Sequence, residues 1–274
     1  MSGAITLTLR NGGDRPLDAS CIAPDRLARL GRREITALEV WPDGEGPQPL
    51  GELFTIAGAD TDRVRVTGEL RLDAGVGTGM NAGELMLDGD VGPGTGSRMT
   101  GGWIKVAGSA GGDTGREMRG GAIVVAGNAG ANLGGASPGA SRGMVGGEII
   151  VLGAAGPEAG ARVRRGLIFV GGDADAYAGR GMIAGSLVVA GRAGRGAGLW
   201  LKRGSLVVLG GVEPPSSYRF ACTYRPPHLG LVLTRLRDQY GAPLTKRQIT
   251  GQYRRYSGDL AELGKGEILE WTGA

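Results

Sequence analysis

One short phrase recurs seven times between Gly83 and Gly210, and it constrains the fold more than any other feature. It opens on a glycine and runs into a short aliphatic stretch, as in GAIVVAGNAG from Gly121 and GSLVVAGRAG from Gly185. Five of the six spacings between these first glycines are 19 residues, and the sixth is 26 because seven residues are inserted within 134–143. Self-similarity at a fixed period predicts a solenoid, in which each repeat packs against its neighbours. The first glycines, called anchors below, are Gly83, Gly102, Gly121, Gly147, Gly166, Gly185 and Gly204.

The positions around the anchors predict the kind of solenoid. Aliphatic residues stand two and four positions after every anchor, and this alternation over a short β-branched run is typical of a strand. A third apolar ladder stands three positions before the anchors, and glycine always stands six after them, where we expect a corner with positive φ. A small residue eight after the anchor fits a tight internal corner. We therefore predict an all-β fold, a right-handed parallel β-helix of about eight coils. The ladder before the anchors is Met80, Met99, Met118, Met144, Val163, Met182 and Leu201.

Two other repeat architectures are disfavoured. A left-handed hexapeptide helix would place an aliphatic residue at every sixth position in coils of about 18 residues. An array of helical repeats would carry too many glycines, each costing about 1 kcal/mol inside a helix. The chain contains 56 glycines.

The predicted organisation is an N-terminal α/β cap at 1–50, the β-helix at 51–211, and a C-terminal cap and partner-contact arm at 212–274. The cap includes a strand in ITLTLR and a short helix from about 24 to 30, with Pro24 in its first turn. Segments from Gly51 and Gly68 repeat the strand phrase and predict imperfect early coils. The stretch LGLVLTRLRDQYG fits either a helix or a strand.

Few residues are suited to chemistry. His228 is the single histidine, and the two cysteines, Cys21 and Cys222, lie far apart in sequence. We expect no catalytic residue, no metal site and no covalent cofactor on this chain. We also expect reduced thiols, no signal peptide, no membrane span and a cytoplasmic location. With a net charge of +4 and aromatics at 5%, the chain has little in common with nucleic-acid-binding proteins.

The outward position of each repeat strand, between the two core positions, is largely apolar. Because a strand that is apolar on both faces is covered on both faces, this side of the sheet should pack against something. Either the chain's own terminal arm or a partner protein would cover it, and we favour the partner. The predicted partner-packing residues are Met86, Val124, Ile150, Phe169, Val188 and Val207, with Lys105 as the exception.

Positive charge collects just before the anchors. Arg116, Arg142 and Arg180 all stand five positions before an anchor, so we expect them to stack along the solenoid. One interpretation is a solvated edge that keeps the protein soluble. The other is a binding site for an acidic chain or an acidic partner surface, since guanidinium groups match carboxylates. The candidate residues are Arg98, Arg116, Arg119, Arg142, Arg162, Arg164, Arg180 and Lys202.

The repeat resembles the glycine-rich C-terminal domain of the glutamate synthase large subunit. The flanking stretches PLDASCIAPDRLARLGRREITALEV and YSGDLAELGKGEILEW are similar to the C subunit of formylmethanofuran dehydrogenase. A closer likeness is to the C subunit of the bacterial formyltransferase/hydrolase complex of one-carbon metabolism, a relative within that family.

The resemblance implies a non-catalytic scaffold subunit in an obligate hetero-oligomer. Such a complex moves a formyl group between tetrahydromethanopterin and a methanofuran-type carrier and releases formate. The resemblance also suggests contact with the acidic glutamyl tail of that carrier. Two alternatives stay open: the C subunit of a molybdenum or tungsten formylmethanofuran dehydrogenase, and a free-standing β-helix acyltransferase or carbohydrate-active enzyme.

Overall fold

The computed structural model describes residues 3–10, 17–68 and 72–273, and its regular structure is mainly β. The elements before the first anchor are β1 (Ala4–Leu9), β2 (Leu17–Asp18), α1 (Pro24–Leu27), α2 (Arg32–Thr36), β3 (Glu39–Pro42), β4 (Gln48–Pro49), α3 (Leu50–Leu53), β5 (Phe54–Ala57), β6 (Asp60–Thr67) and β7 (Leu72–Ala74). The repeats then supply β8 (Glu84–Leu87), β9 (Trp103–Val106), β10 (Ala122–Val125), β11 (Glu148–Val151), β12 (Leu167–Val170), β13 (Ser186–Val189) and β14 (Arg203–Val208). The C-terminal elements are β15 (Arg219–Tyr224), α4 (Pro227–Tyr240), α5 (Lys246–Thr250), β16 (Tyr253–Gly258) and β17 (Lys265–Trp271).

One large, mostly parallel sheet organises the described chain. Its 13 strands run in the order β15-β16-β17-β14-β13-β12-β11-β10-β9-β8-β6-β1-β5. The seven repeat strands pair in parallel and in register, so that Ile123 lies between Ile104 and Ile149. This register follows from the repeat, since equal spacing brings the same position of each phrase to the same height in the next. The arrangement is consistent with an all-β solenoid.

The predicted inward ladders are buried, as expected. The residues two and four after the anchors are at most 2% exposed, and so are those three before them. The small residues eight after the anchors form a second parallel ladder of single bridges, from Val91 through Ala110, Ala129, Ala155 and Ala174 to Ala193. Together these ladders form the main hydrophobic core. The stacking of like side chains thus places a continuous apolar core along the repeats.

The glycines six after the anchors have a different role from the one predicted. None of them has positive φ; the anchors do, with values from 82° at Gly102 to 112° at Gly166. At Gly127 an added Cβ would lie 2.8 Å from the carbonyl oxygen of Gly108, in the preceding repeat. Glycine is therefore required there because successive backbones approach closely, and the left-handed conformation is needed at the anchor instead.

The early coils predicted from Gly51 and Gly68 are wrong. Gly51 lies in α3, and the following strand β5 pairs antiparallel with β1. The segment after Gly68 leads into β7, which joins a small four-stranded sheet, and its residues 69–71 lie outside the described residues. The strand that stacks on β8 is β6, with Val64 beside Leu85 and Val66 beside Leu87. The phrase alone therefore does not identify the strand that continues the sheet.

The N-terminal segment packs on the first repeat. Ile22 and Leu27 are fully buried, and the Ile22 carbonyl accepts a hydrogen bond from the Gly77 N–H at 3.2 Å. The Arg26 guanidinium donates to the Thr78 carbonyl at 3.0 Å. Helix α1 starts at Pro24 as predicted but ends at Leu27, so it is shorter than expected.

The C-terminal residues return to the sheet. Strand β17 pairs in parallel with β14, with Ile268 beside Leu206, and β16 and β15 then add antiparallel strands. The ambiguous stretch LGLVLTRLRDQYG, between β15 and β16, is helix α4, and its C-cap is Gly241 in the left-handed conformation (φ 69°). This excursion carries α4 across the outer face of the sheet.

Candidate functional site

Helix α4 and its neighbours cover much of the outer face of the sheet. Ile150, Phe169, Val188 and Val207 are at most 2% exposed, and they form a second core with apolar residues of the C-terminal segment. For these four residues the favoured interpretation, a partner protein, is wrong, because the chain's own arm occupies the surface. The contributing side chains from the arm include Leu229, Leu233, Leu236, Ala242, Leu244 and Tyr253.

Glu148 holds α4 against this face of the sheet. Its carboxylate accepts hydrogen bonds from Arg235 Nη2 and from the Tyr240 hydroxyl, each at 2.5 Å. Burial, followed by the hydrogen bond to Glu148, raises the pKa of Tyr240. The Tyr240 ring also lies 6.0 Å from that of Trp103. The position of Glu148 in the repeat gave no sign that it would bind Arg235 and Tyr240. The contact becomes visible only when the C-terminal arm is folded onto the sheet.

The remaining part of the outer face lies at β8 to β10. Met86 and Val124 are half-buried, and Lys105 between them forms an ion pair with Glu84 at 2.5 Å. Trp103 is 37% exposed beside them. A partner contact at Met86 and Val124 stays a prediction.

Carboxylates neutralise half of the eight predicted cationic residues. The sequence pattern missed these partners because three of the four come from other repeats or from the C-terminal arm. Exposed ion pairs of this kind contribute about 0–1 kcal/mol each. The pairs are Arg98 with Glu117 at 3.2 Å, Arg116 with Asp113 at 3.2 Å, Arg180 with Glu158 at 2.5 Å, and Lys202 with Glu262 at 3.8 Å.

The expected stack of Arg116, Arg142 and Arg180 is interrupted by the inserted residues. These form the insertion loop, residues 134–143, which lies between the repeat that carries Arg116 and the repeat that carries Arg180. Arg142 is exposed within the loop and lines a depression of ≈ 560 Å³ together with Arg119. The three arginines therefore do not form one cationic row.

Hydrogen bonds hold the insertion loop against the neighbouring repeats. Asn132 donates from Nδ2 to Asp113 at 2.6 Å and to the carbonyl of Ala136 at 3.1 Å. Arg162 donates to the carbonyl of Ala140 at 2.8 Å. The loop is thus held from the preceding and following repeats, which gives its surroundings a defined shape.

Glu117 also holds the loop. It accepts a hydrogen bond from the Ser137 N–H at 3.1 Å. Hydrogen bonding by Ser137, with the Arg98 ion pair, lowers the pKa of the Glu117 carboxyl. The carboxylate form is therefore the one that this contact stabilises.

A groove of ≈ 380 Å³ lies on the other side of the loop. Its lining includes Asp113, Glu158, Arg162, Arg180 and Trp200. The Arg180 guanidinium carbon lies 4.7 Å from the centre of the Trp200 ring, a cation–π contact. Because the groove combines both charge signs with an aromatic rim, it does not form a simple anion site.

Four of the eight predicted cations have no carboxylate partner among the described residues: Arg119, Arg142, Arg162 and Arg164. Of these, Arg162 is engaged with the insertion loop. Arg119, Arg142 and Arg164 are exposed. They are the part of the predicted edge that keeps an uncompensated positive charge.

The residues suited to chemistry do not converge. His228 is exposed in the first turn of α4, and Cys222 is exposed on β15. Burial raises the pKa of the half-buried Cys21 to about 11. Within residues 3–10, 17–68 and 72–273, no three His, Cys, Asp or Glu side chains gather where they could hold a metal ion. In the same ranges, none of the helices has the length and apolar character that crossing a bilayer requires.

The comparisons with known proteins agree on one family. The C subunit of molybdenum-containing formylmethanofuran dehydrogenase 1 from Methanothermobacter marburgensis is 39% identical over 79 residues, which is 28% of this chain and 20% of that protein. Its counterpart from Methanothermobacter thermautotrophicus matches to the same extent. A chain in the crystal structure of the formyltransferase/hydrolase complex (FhcABCD) from Methylorubrum extorquens, in complex with methylofuran, is 34% identical. That match covers 97% of this chain and 99% of the other, with a TM-score of 0.88.

The chain belongs to the family of formylmethanofuran dehydrogenase C subunits. The resemblance of its flanking segments to this family is thereby confirmed. The match to the curated members of this family spans only a fifth of their length, whereas the match to the Methylorubrum chain is end to end. No protein-family model matches the chain.

Proposed function

We propose that this chain is the non-catalytic scaffold subunit of a cytoplasmic formyltransferase/hydrolase complex. Such a complex moves a formyl group between tetrahydromethanopterin and a methanofuran-type carrier and releases formate. The observation that carries the proposal is the end-to-end match to a chain of FhcABCD, at 34% identity and a TM-score of 0.88. The scattered positions of His228, Cys21 and Cys222 support a structural role for this chain within the complex.

The architecture behind this role is a right-handed parallel β-helix of about eight coils, with a cap at 1–50 and a capping arm at 212–274. The continuous parallel register from β6 to β14 supports it. So does the second ladder of bridges from Val91 to Ala193. A stiff stack of this kind would hold other subunits at fixed distances.

The unpaired cations around the insertion loop are where we place contact with the carrier's acidic tail or with an acidic subunit. Arg119, Arg142 and Arg164 are exposed and have no carboxylate partner among the described residues. Arg98, Arg116, Arg180 and Lys202 already have carboxylate partners, and the loop holds Arg162. We therefore restrict the proposed contact to Arg119, Arg142 and Arg164. Guanidinium groups suit carboxylates because their paired N–H donors match two oxygens.

Co-expression with the other subunits tests the scaffold role. The assembled complex should release formate from the formylated carrier, and the chain alone should have no activity. Formate release by the isolated chain would refute the role and favour the free-standing enzyme. Failure to assemble with any of those subunits would refute membership of the complex.

A triple substitution tests the cationic contact. With about 0.5 kcal/mol for each exposed charge pair, Arg119→Ala/Arg142→Ala/Arg164→Ala should raise the KM for the carrier about tenfold at low salt, with kcat unchanged. The matched control is Arg98→Ala/Arg116→Ala/Arg180→Ala, in which each arginine already has a carboxylate partner. An unchanged KM in the first variant would exclude the carrier's tail, and unchanged assembly of the complex as well would leave only the solvated-edge interpretation.

A second candidate function is that of the C subunit in a molybdenum-containing formylmethanofuran dehydrogenase. The match over 79 residues to the Methanothermobacter proteins favours it. In that case the metal would be held by other subunits. Elemental analysis of the assembled complex distinguishes the two, since stoichiometric molybdenum or tungsten would indicate the dehydrogenase.

A further inference from the structure

Strand β15 forms one edge of the large sheet. It pairs with β16 on one side, and no other described strand lies against its second side. Five of its six residues, Arg219 to Thr223, are exposed, and Phe220 is 60% exposed. An edge strand presents unpaired N–H and C=O groups, which are a template for adding another strand. This edge contains no lysine or proline within its six residues.

The surroundings of β15 are cationic. No acidic residue occurs between Glu213 and Asp238, whereas arginines stand at both ends of the strand, at Arg219 and Arg225. Arg219 donates to the carbonyls of Ser216 and Tyr218, and among the described residues neither arginine has a carboxylate within 4.0 Å.

The next strand differs in this respect. On β16, Arg254 pairs with Glu270 at 3.6 Å and Arg255 pairs with Glu267 at 2.9 Å. The carboxylates of β17 therefore neutralise the inner strand only, and the positive charge at the edge is left for something outside the chain.

We propose that β15 is a docking edge for an extended segment of another subunit, with acidic residues at both ends of the paired stretch. The inference rests on the proposed function for the existence of such subunits, and it adds the surface and the chemistry of the contact. Backbone pairing supplies the affinity of an added strand, and charge supplies its register. Phe220, an exposed residue of β15 itself, offers an apolar contact for the incoming strand.

A second copy of this chain fits the edge less well. Two β15 strands related by a two-fold axis would run antiparallel, which brings Arg219 of each copy close to Arg225 of the other. Like charges in adjacent cross-strand positions are destabilising. An acidic segment from a different chain removes that repulsion at both ends.

The bulge between Phe220 and Cys222 offers a competing explanation. Bulges also serve to protect edges from pairing. A protected edge, however, needs no partner and should stay equally accessible in the free chain and in the assembled complex. Accessibility of β15 in the two states therefore separates the explanations.

Cys222 is a built-in probe of this edge, because it is exposed at the centre of β15. In the complex made by co-expression, we expect maleimide labelling of Cys222 to be at least about tenfold slower than in the isolated chain. Amide hydrogen exchange of 219–224 should slow by a similar factor. Equal rates in both states would overturn the proposal while leaving membership of the complex intact. Protection in an isolated chain that is dimeric would show that a second copy is the occupant.

Charge reversal tests the acidic character of the segment. Arg219→Glu/Arg225→Glu should weaken assembly at least about tenfold at low salt, with less effect at high salt. Arg29→Glu/Arg33→Glu is the matched control, since both residues are exposed in the N-terminal region and the charge change is equal. Both variants should melt within a few degrees of the parent chain. Equal assembly of the two variants would overturn the acidic-segment assignment, even if β15 is protected.

Discussion

Leu233 provides a direct test of how the outer face of the sheet is covered. It lies on α4, is fully buried, and belongs to the same core as Phe169 and Val188. Leu233→Ala removes three carbon atoms from this core. At about 0.8 kcal/mol for each buried carbon, the transfer loss is about 2.4 kcal/mol. The cavity left behind increases the total to about 3–4 kcal/mol.

The same helix contains its own control. Leu231 is two residues away and 77% exposed, so Leu231→Ala should change the free energy of unfolding by less than about 0.5 kcal/mol. Urea denaturation of both variants, followed by circular dichroism, measures the difference. If Leu233→Ala costs no more than Leu231→Ala, then α4 does not pack on the sheet in solution. The outer face would then be open to a partner, as the sequence pattern favoured.

Three further predictions concern the repeats and the thiols. Gly127→Ala should destabilise the chain by about 1–3 kcal/mol, since the added Cβ would lie 2.8 Å from the carbonyl oxygen of Gly108. Gly46→Ala is the control: its added Cβ would have no atom within 4 Å, so the same urea titration should find it neutral or stabilising. Maleimide at pH 8 should label the exposed Cys222 well before Cys21, whose pKa is raised to about 11, and mass spectrometry of peptides resolves the two; equal rates would contradict the burial of Cys21. The depressed pKa of Glu117 stabilises the fold above its unfolded value of about 4.5, and this contribution is lost as the pH falls through the folded value. Glu117→Gln should therefore flatten the acid side of the stability–pH curve, and an unchanged curve would count against the contact with Ser137.

Much of the repeat architecture is predictable because its contacts are periodic. Ile123 packs between Ile104 and Ile149 because all three occupy the same position in the repeated phrase. The methionine and alanine ladders follow by the same rule. The reason for a glycine is less predictable. A Cβ at either Gly127 or Gly121 would meet the preceding repeat's backbone, yet only Gly121 also adopts positive φ.

The candidate site was only partly predictable. The positions of the arginines before the anchors can be read from the sequence, but their electrostatic state cannot. Glu158 and Arg180 are 22 residues apart and meet only because successive repeats stack. Lys202 meets Glu262 only because the C-terminal arm returns to the sheet. Whether an arginine has a carboxylate partner, as Arg180 does and Arg119 and Arg142 do not among the described residues, is therefore decided by the folded chain.

The amino-acid sequence by itself determined the parallel ladders, their register and the buried positions, since a fixed period brings equivalent residues into contact whatever the rest of the chain does. Tertiary structure alone decided that β6 continues the sheet below β8, that α4 covers the outer face, and that β15 is left at an open edge. These features depend on contacts between segments of unrelated sequence. No repeat relates Leu233 to Phe169 or Arg235 to Glu148, so only the burial and charge balance of the whole fold selects them.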